Sequence, residues 1–191
     1  MAERGADDAW RRVTYGETLA AVRNLGQALL DRRLDDDRPV AILSDNGIDN
    51  GLLQLAAMHV GIPVAPVSPA YSLMSTDFGK LATIAETLTP GLVFAADGAA
   101  FADAFSAVDF GDAEIIAGDD GTFAGLMATT PTDAVEAAFQ AVGPDSIAKL
   151  LFTSGSTGQP KGVINTQRML CSNQQAIRQL WPFLEARPPV I

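Results

Sequence analysis

Short apolar runs recur along this chain, each exchanged with a helical pattern, and that alternation restricts the fold more than any other feature. Pro39-Val40-Ala41-Ile42-Leu43, residues 64–67, residues 92–95 and residues 147–152 are rich in β-branched and aliphatic side chains and too short for helices. Between them lie amphipathic stretches. Thr14 with Glu17 three residues later forms a capping box, and Leu19, Val22, Leu25, Leu29 and Leu30 follow at helical spacing, which predicts a helix over 15–33. Its face bearing Arg23, Gln27 and Asp31 reads as solvated. The turn Asp45-Asn46-Gly47 leads into a helix over 48–60, with Gly61 as its cap and Pro63 blocking continuation. Thr76-Asp77 is expected to open a helix to Leu88, ended by Pro90-Gly91. The expectation is an α/β fold in which sheet strands alternate with helices on the sheet faces.

Residues 96–141 are rich in Ala, Asp, Gly and Phe and read as a variable surface excursion, with helices over 99–108 and 132–141 and a strand at Glu114-Ile115-Ile116. Their aspartates read as solubilising, because no pair recurs at metal-ligand spacing.

The strand over 147–152 feeds an unusual loop. Thr153, Ser154, Ser156 and Thr157 place four hydroxyls in five positions, interleaved with Gly155 and Gly158 and followed by Lys161 and Gly162. Glycines at 155, 158 and 162 permit positive φ and let backbone N–H groups converge on an anion, the hydroxyls add donors, and Lys161 adds a mobile positive charge. This is chemistry for holding a polyphosphate. The P-loop of nucleotide triphosphatases requires G-x-x-x-x-G-K-[ST] between strand and helix, whereas here Pro160 precedes the lysine and Gly162 follows it. The apolar run Val163-Ile164 then favours strand, loop, strand, with Thr166 capping a helix that runs to Leu180 before Pro182. A plain Ser/Gly hairpin with an exposed lysine is the alternative.

The segment Leu150-Leu151-Phe152-Thr153-Ser154-Gly155-Ser156-Thr157-Gly158-Gln159-Pro160-Lys161-Gly162-Val163 resembles the phosphate-binding motif of the acyl-adenylate-forming, or AMP-binding, superfamily. That superfamily includes acyl-CoA synthetases, luciferases and peptide-synthetase adenylation domains. Trp10-Arg11-Arg12-Val13-Thr14-Tyr15-Gly16-Glu17 is similar to its early strand-to-helix junction, and the run from Val60 through Gly61, Pro63 and Pro66 to Pro69 to its helix-to-strand turn. The resemblance implies that Thr153, Ser154, Gly155, Ser156, Thr157, Gly158 and Lys161 contact the ATP phosphates and the released pyrophosphate. It also implies coenzyme A as co-substrate and Mg2+ held by residues outside this sequence.

Where many relatives carry Ser or Thr then His after the loop, this chain has Asn165-Thr166-Gln167-Arg168-Met169-Leu170-Cys171-Ser172-Asn173-Gln174-Gln175. That run looks most like feruloyl-CoA synthases, so the implied acid is an aromatic hydroxycinnamate such as ferulate. The resemblance assigns residues 1–191 to a partial N-terminal AMP-binding domain, with the phosphate loop at 150–163 and no C-terminal domain. Adenine, ribose, metal and acyl-pocket motifs are not located after Gly162, so the isolated sequence is expected to lack full ligase activity. A non-catalytic nucleotide-binding remnant and a fragment of another adenylating enzyme stay open as alternatives.

Composition sets the remaining bounds. With 191 residues and 48% hydrophobic content the chain can bury a core. Its 23 acidic against 13 basic residues, net −10, disfavour a nucleic-acid partner, and ATP must bind against a repulsive background. The single cysteine, Cys171, excludes an internal disulfide, suits a reducing compartment and reads as a packing residue; His59 reads as a helix-packing histidine. The first eight residues carry no targeting pattern and no run reaches membrane-spanning length, so a cytoplasmic location is expected.

Overall fold

A computed structural model of the chain describes residues 1–5, 8–154 and 158–183, with Ser154 described through its backbone. A six-stranded sheet carries the fold, built from β3 (Val40–Ile42), β4 (Val64–Pro66), β5 (Leu92–Ala95), β6 (Glu114–Ala117), β7 (Ile147–Ser154) and β8 (Pro160–Thr166) in the order β6-β5-β3-β4-β7-β8. The pairs from β6 through β7 are parallel and β7 pairs antiparallel with β8. Strands β1 (Ala2–Arg4) and β2 (Trp10–Arg12) form a separate antiparallel ribbon.

Helices cover both sheet faces, which is why β3 and β5 are apolar at every position. On one face α1 (Tyr15–Asp31), α2 (Ile48–His59), α6 (Thr122–Met127) and α7 (Asp133–Ala141) enclose a core that contains Leu25, Leu29, Leu53, Phe94 and Phe123. On the other, α4 (Gly79–Leu88) and α5 (Ala102–Ala107), preceded by the one-turn α3 (Ala70–Leu73), pack over Leu43, Val67, Val93 and Phe101. Helix α8 (Gln167–Leu180) follows β8.

Local chemistry sets several boundaries. The capping box of α1 is complete: Thr14 Oγ1 accepts from the Glu17 N–H at 3.2 Å, and Glu17 Oε2 accepts from the Thr14 N–H at 2.8 Å. Gly47 offers no side-chain cap to α2, and the ribbon replaces it, with Glu3 Oε2 accepting from the Ile48 N–H at 2.6 Å. Arg11 then bridges Glu3 at 2.9 Å and Asp49 at 2.7 Å, fixing the ribbon to the helix.

Four expectations are corrected. Gln27 is buried, not solvated, because α7 crosses that face of α1: Gln27 Oε1 accepts from both the N–H and the hydroxyl of Thr132, at 2.8 and 2.7 Å. Residues 96–141 are no surface excursion, since β6 extends the sheet and Phe123, Leu126 and Val135 enter the core. Helix α4 begins at Gly79, later than the Thr76-Asp77 signal, because Phe78 is left-handed at φ 51° and Asp77 Oδ1 accepts from the Gly79 N–H at 3.2 Å. Cys171 is exposed, because no residue of α8 is buried.

His59 does pack between helices. Its ring stacks on Phe139 of α7 at 4.5 Å and 17°, with Nε2 buried and unpartnered. Burial pushes the imidazolium below its ordinary value of 6.5, and Arg23 adds to this against an opposing Glu136. The unfolded chain therefore takes up this proton at higher pH than the folded one. His59 costs no stability above pH 6.5 and lowers it as pH falls toward the folded value. Thermal melts of the wild type and His59→Phe between pH 7.5 and 5.5 check this: the variant gains on the wild type as pH falls, and a constant difference would contradict it.

Candidate phosphate-binding site

The site is a hairpin at the carboxyl edge of the sheet. Val64 of β4 pairs with Lys149 of β7, and β4 stops at Pro66, so β7 runs on for three residues beyond the register of its neighbour. The hairpin thus stands roughly 10 Å clear of the strand beside it. In open parallel α/β sheets this edge is where ligands bind, because loops there are free of sheet pairing and helix starts converge.

Registry brings two of the predicted residues together. Thr153 lies directly opposite Lys161, and Ser154 opposite Pro160, so Thr153 and Lys161 project from the same side of the hairpin. Both are exposed. Gly158 adopts φ +79°, a conformation strained for any residue with a Cβ, and returns the chain into β8. Gly155, Ser156 and Thr157 lie outside the described residues.

Gly162 departs from expectation. It sits inside β8 opposite Phe152 without positive φ, and an added Cβ would meet the Phe152 ring at 3.5 Å, an ordinary contact. Neither conformation nor space requires glycine there.

The base of the hairpin is anchored on three sides. Phe152 and Leu150 face the α4 side and pack against its core, while Lys149 projects to the α2 side and donates to Gln54 Oε1 at 2.7 Å. Gln54 in turn donates to Asn50 Oδ1 at 2.7 Å, and Asn50 to the Asp45 carbonyl at 3.0 Å. Lys149 is half-buried beside a neutral acceptor, and burial pushes its ammonium below the usual lysine value. Behind β8, Thr166 caps α8 through the Met169 N–H at 3.4 Å, and Arg168 pairs with Asp145 at 3.0 Å.

Charge is distributed in a way sequence reading missed. The chain has three lysines, Lys80, Lys149 and Lys161. Among the described residues every ion pair uses an arginine, such as Arg32 with Glu114 at 2.6 Å and Arg38 with Asp112 at 2.8 Å. The lysines lie instead on or beside the hairpin and, among the described residues, form no ion pair. Lys80 starts α4, which packs against β8, and lines a cavity of about 620 Å3 together with Tyr71, Asp77, Gly158 and Gln159. No signal linked Lys80 to the loop, because the parallel pairing of β4 with β7 creates that proximity.

The sequence pattern of the AMP-binding enzyme family matches residues 2–188. The chain belongs to that family. Among curated relatives, the AMP-binding chain is 34% identical over 172 residues to the 3-[(3aS,4S,7aS)-7a-methyl-1,5-dioxo-octahydro-1H-inden-4-yl]propanoyl:CoA ligase of Mycobacterium tuberculosis, covering 87% of this chain and 33% of that protein. It is 28% identical to the probable non-canonical nonribosomal peptide synthetase CymA of Salinispora arenicola, covering 90% of this chain and 2% of the synthetase. It is also 28% identical to the 4-coumarate–CoA ligase-like 9 protein of Arabidopsis thaliana, covering 87% and 29%. The chain therefore spans no more than a third of these three relatives. A fatty acyl-adenylate ligase from L. pneumophila, solved with acyl adenylate and pyrophosphate, superposes with a TM-score of 0.67 at 21% identity, over 92% of this chain and 29% of that one. The α/β architecture of this AMP-binding chain is thus that of the N-terminal part of adenylate-forming enzymes. Among the described residues no helix is long and apolar enough to cross a membrane.

Proposed function

We propose that this chain is the N-terminal portion of an ATP-dependent carboxylic acid–CoA ligase and supplies its phosphate-binding hairpin. The observation that carries the reading is the register that sets Lys161 opposite Thr153, with Gly158 at φ +79° turning the chain between them and Pro160. In this reading residues 153–158 present hydroxyl and backbone N–H donors to the ATP phosphates, and Lys161 neutralises charge that moves onto the departing pyrophosphate. The carboxylate oxygen attacks the α-phosphorus, its bond to oxygen breaks on the pyrophosphate side, and the acyl-adenylate formed is passed to the thiol of coenzyme A with release of AMP.

Magnesium would arrive on the nucleotide. Among the described residues no three His, Cys, Asp or Glu side chains are grouped to hold it.

The acid we propose is a hydroxycinnamate such as ferulate, supported by the run from Asn165 to Gln175 and by likeness to a 4-coumarate–CoA ligase-like protein. An amino-acid-activating adenylation domain is the second reading, favoured by the 90% coverage of this chain by a peptide synthetase. Acid-dependent ATP–pyrophosphate exchange by the full-length product of the encoding gene separates them. Exchange with ferulate and coenzyme A-dependent thioester formation support the ligase; exchange with amino acids alone would replace it by the second reading.

A further inference from the structure

The hairpin has two sides, and Lys161 serves only one. Alternation along β7 and β8 puts Lys161 with Thr153 on the side opposite Phe152 and α4. The side facing α4 is where the 620 Å3 cavity opens, walled by Gly158 and Gln159 of the hairpin and by Tyr71, Met74, Asp77 and Lys80 across from them. Lys80 is the one cation in that wall among the described residues.

We propose that Lys80 is a second phosphate-binding residue, which contacts the terminal phosphates of ATP and the pyrophosphate product from the α4 side of the hairpin. This inference rests on the phosphate-binding reading of the hairpin.

Three observations support it. Among the described residues the Lys80 ammonium forms no ion pair: Asp77 feels it only as a neighbouring charge, and its ring contact is the face of Tyr71, with Nζ 5.7 Å from the centroid. A cation held over an aromatic face keeps its charge available to an anion in front of it. Asp77, the acidic group in the same wall, is fixed in its own turn and stays ionised, with Oδ1 accepting from Ser75 Oγ at 3.1 Å and the Gly79 N–H at 3.2 Å, so a bound polyphosphate must outweigh its charge through Lys80 and the hairpin donors. Those bonds hold its carboxylate below the usual range, with Lys80 the least of the causes. Finally, a chain of net −10 with three lysines places two of them on opposite sides of one hairpin, while its described ion pairs are made by arginine.

A polyphosphate seated on the hairpin is thus gripped from both sides. Lys161 reaches it beside Thr153, and Lys80 reaches it across the cavity beside Gly158.

Calorimetric titration of the chain with inorganic pyrophosphate tests this, comparing wild type, Lys80→Gln, Lys80→Arg and Lys161→Ala, with melting curves to confirm folding. Lys80 is exposed, so its replacement leaves the core intact. The expected result is an affinity about five- to tenfold weaker in Lys80→Gln, mostly restored in Lys80→Arg, with a reduced salt dependence in Lys80→Gln. Unchanged affinity in Lys80→Gln alongside weakened binding in Lys161→Ala would overturn the role of Lys80 and leave the hairpin reading standing. A wild-type chain that binds no pyrophosphate would overturn both.

Discussion

Phe94→Ala lowers the stability of the chain by about 3–5 kcal/mol, the loss expected when a fully enclosed aromatic side chain is removed and its space is not refilled. Phe94 lies in β5, between β3 and β6, with no solvent exposure. Its ring packs against Phe123 of α6 at 4.9 Å and 41°, so truncation forfeits an aromatic pair as well as buried area. Collapse around the gap is limited, because β5 is hydrogen-bonded on both sides. Against a typical total of about 5–15 kcal/mol, this change unfolds much of the population at moderate denaturant. Urea unfolding measured at one temperature and pH reads it as a lower midpoint at unchanged slope. A loss under about 1 kcal/mol would mean that the core on the α1 face is not closed as described.

The second large effect is catalytic. In the full-length product of the encoding gene, Lys161→Ala reduces kcat for acyl-adenylate formation by about 10²–10³, the range found when one preorganised charge-stabilising donor is removed. Lys161 is exposed opposite Thr153 and lies outside the two core clusters, so the variant folds. Rates with saturating ATP separate the roles: a fall in kcat places Lys161 at the transition state, and a rise in KM alone places it in ground-state binding. An unchanged rate would remove Lys161 from the mechanism.

How much of this was legible in the sequence depends on whether the deciding interactions were local. The capping box at Thr14 and Glu17, the stop at Gly61 and the strand run at 92–95 are all decided within a few residues, and the structure reproduces them within two positions. Helix α6 was not legible, since six residues following Gly121 at φ 84° carry too short a period to distinguish from a loop. Its identity comes from Phe123 reaching Phe94, a tertiary contact. Gln27 misled for the same reason: polar on its own helix, it is buried only because Thr132 arrives from α7.

The site divides in the same way. The hairpin that sets Thr153 opposite Lys161 and turns at Gly158 was readable because strand, glycine turn and returning strand are continuous in sequence. The nearness of Lys80 to the hairpin was not, since it lies 81 positions before Lys161 and is brought there by the pairing of β4 with β7. Gly162 shows the converse error, a glycine read as permitting positive φ and close backbone approach but placed by the structure inside a strand without positive φ.

The measurement that most directly tests the central claim is a titration of the chain with ATP followed by backbone amide resonances. Saturating shifts at Thr153, Gly158 and Lys161, which need more ATP to saturate in Lys161→Ala while the rest of the spectrum is unchanged, are the predicted result. Shifts that leave those three amides still, or a spectrum indifferent to ATP, would contradict the assignment of this hairpin to phosphate binding.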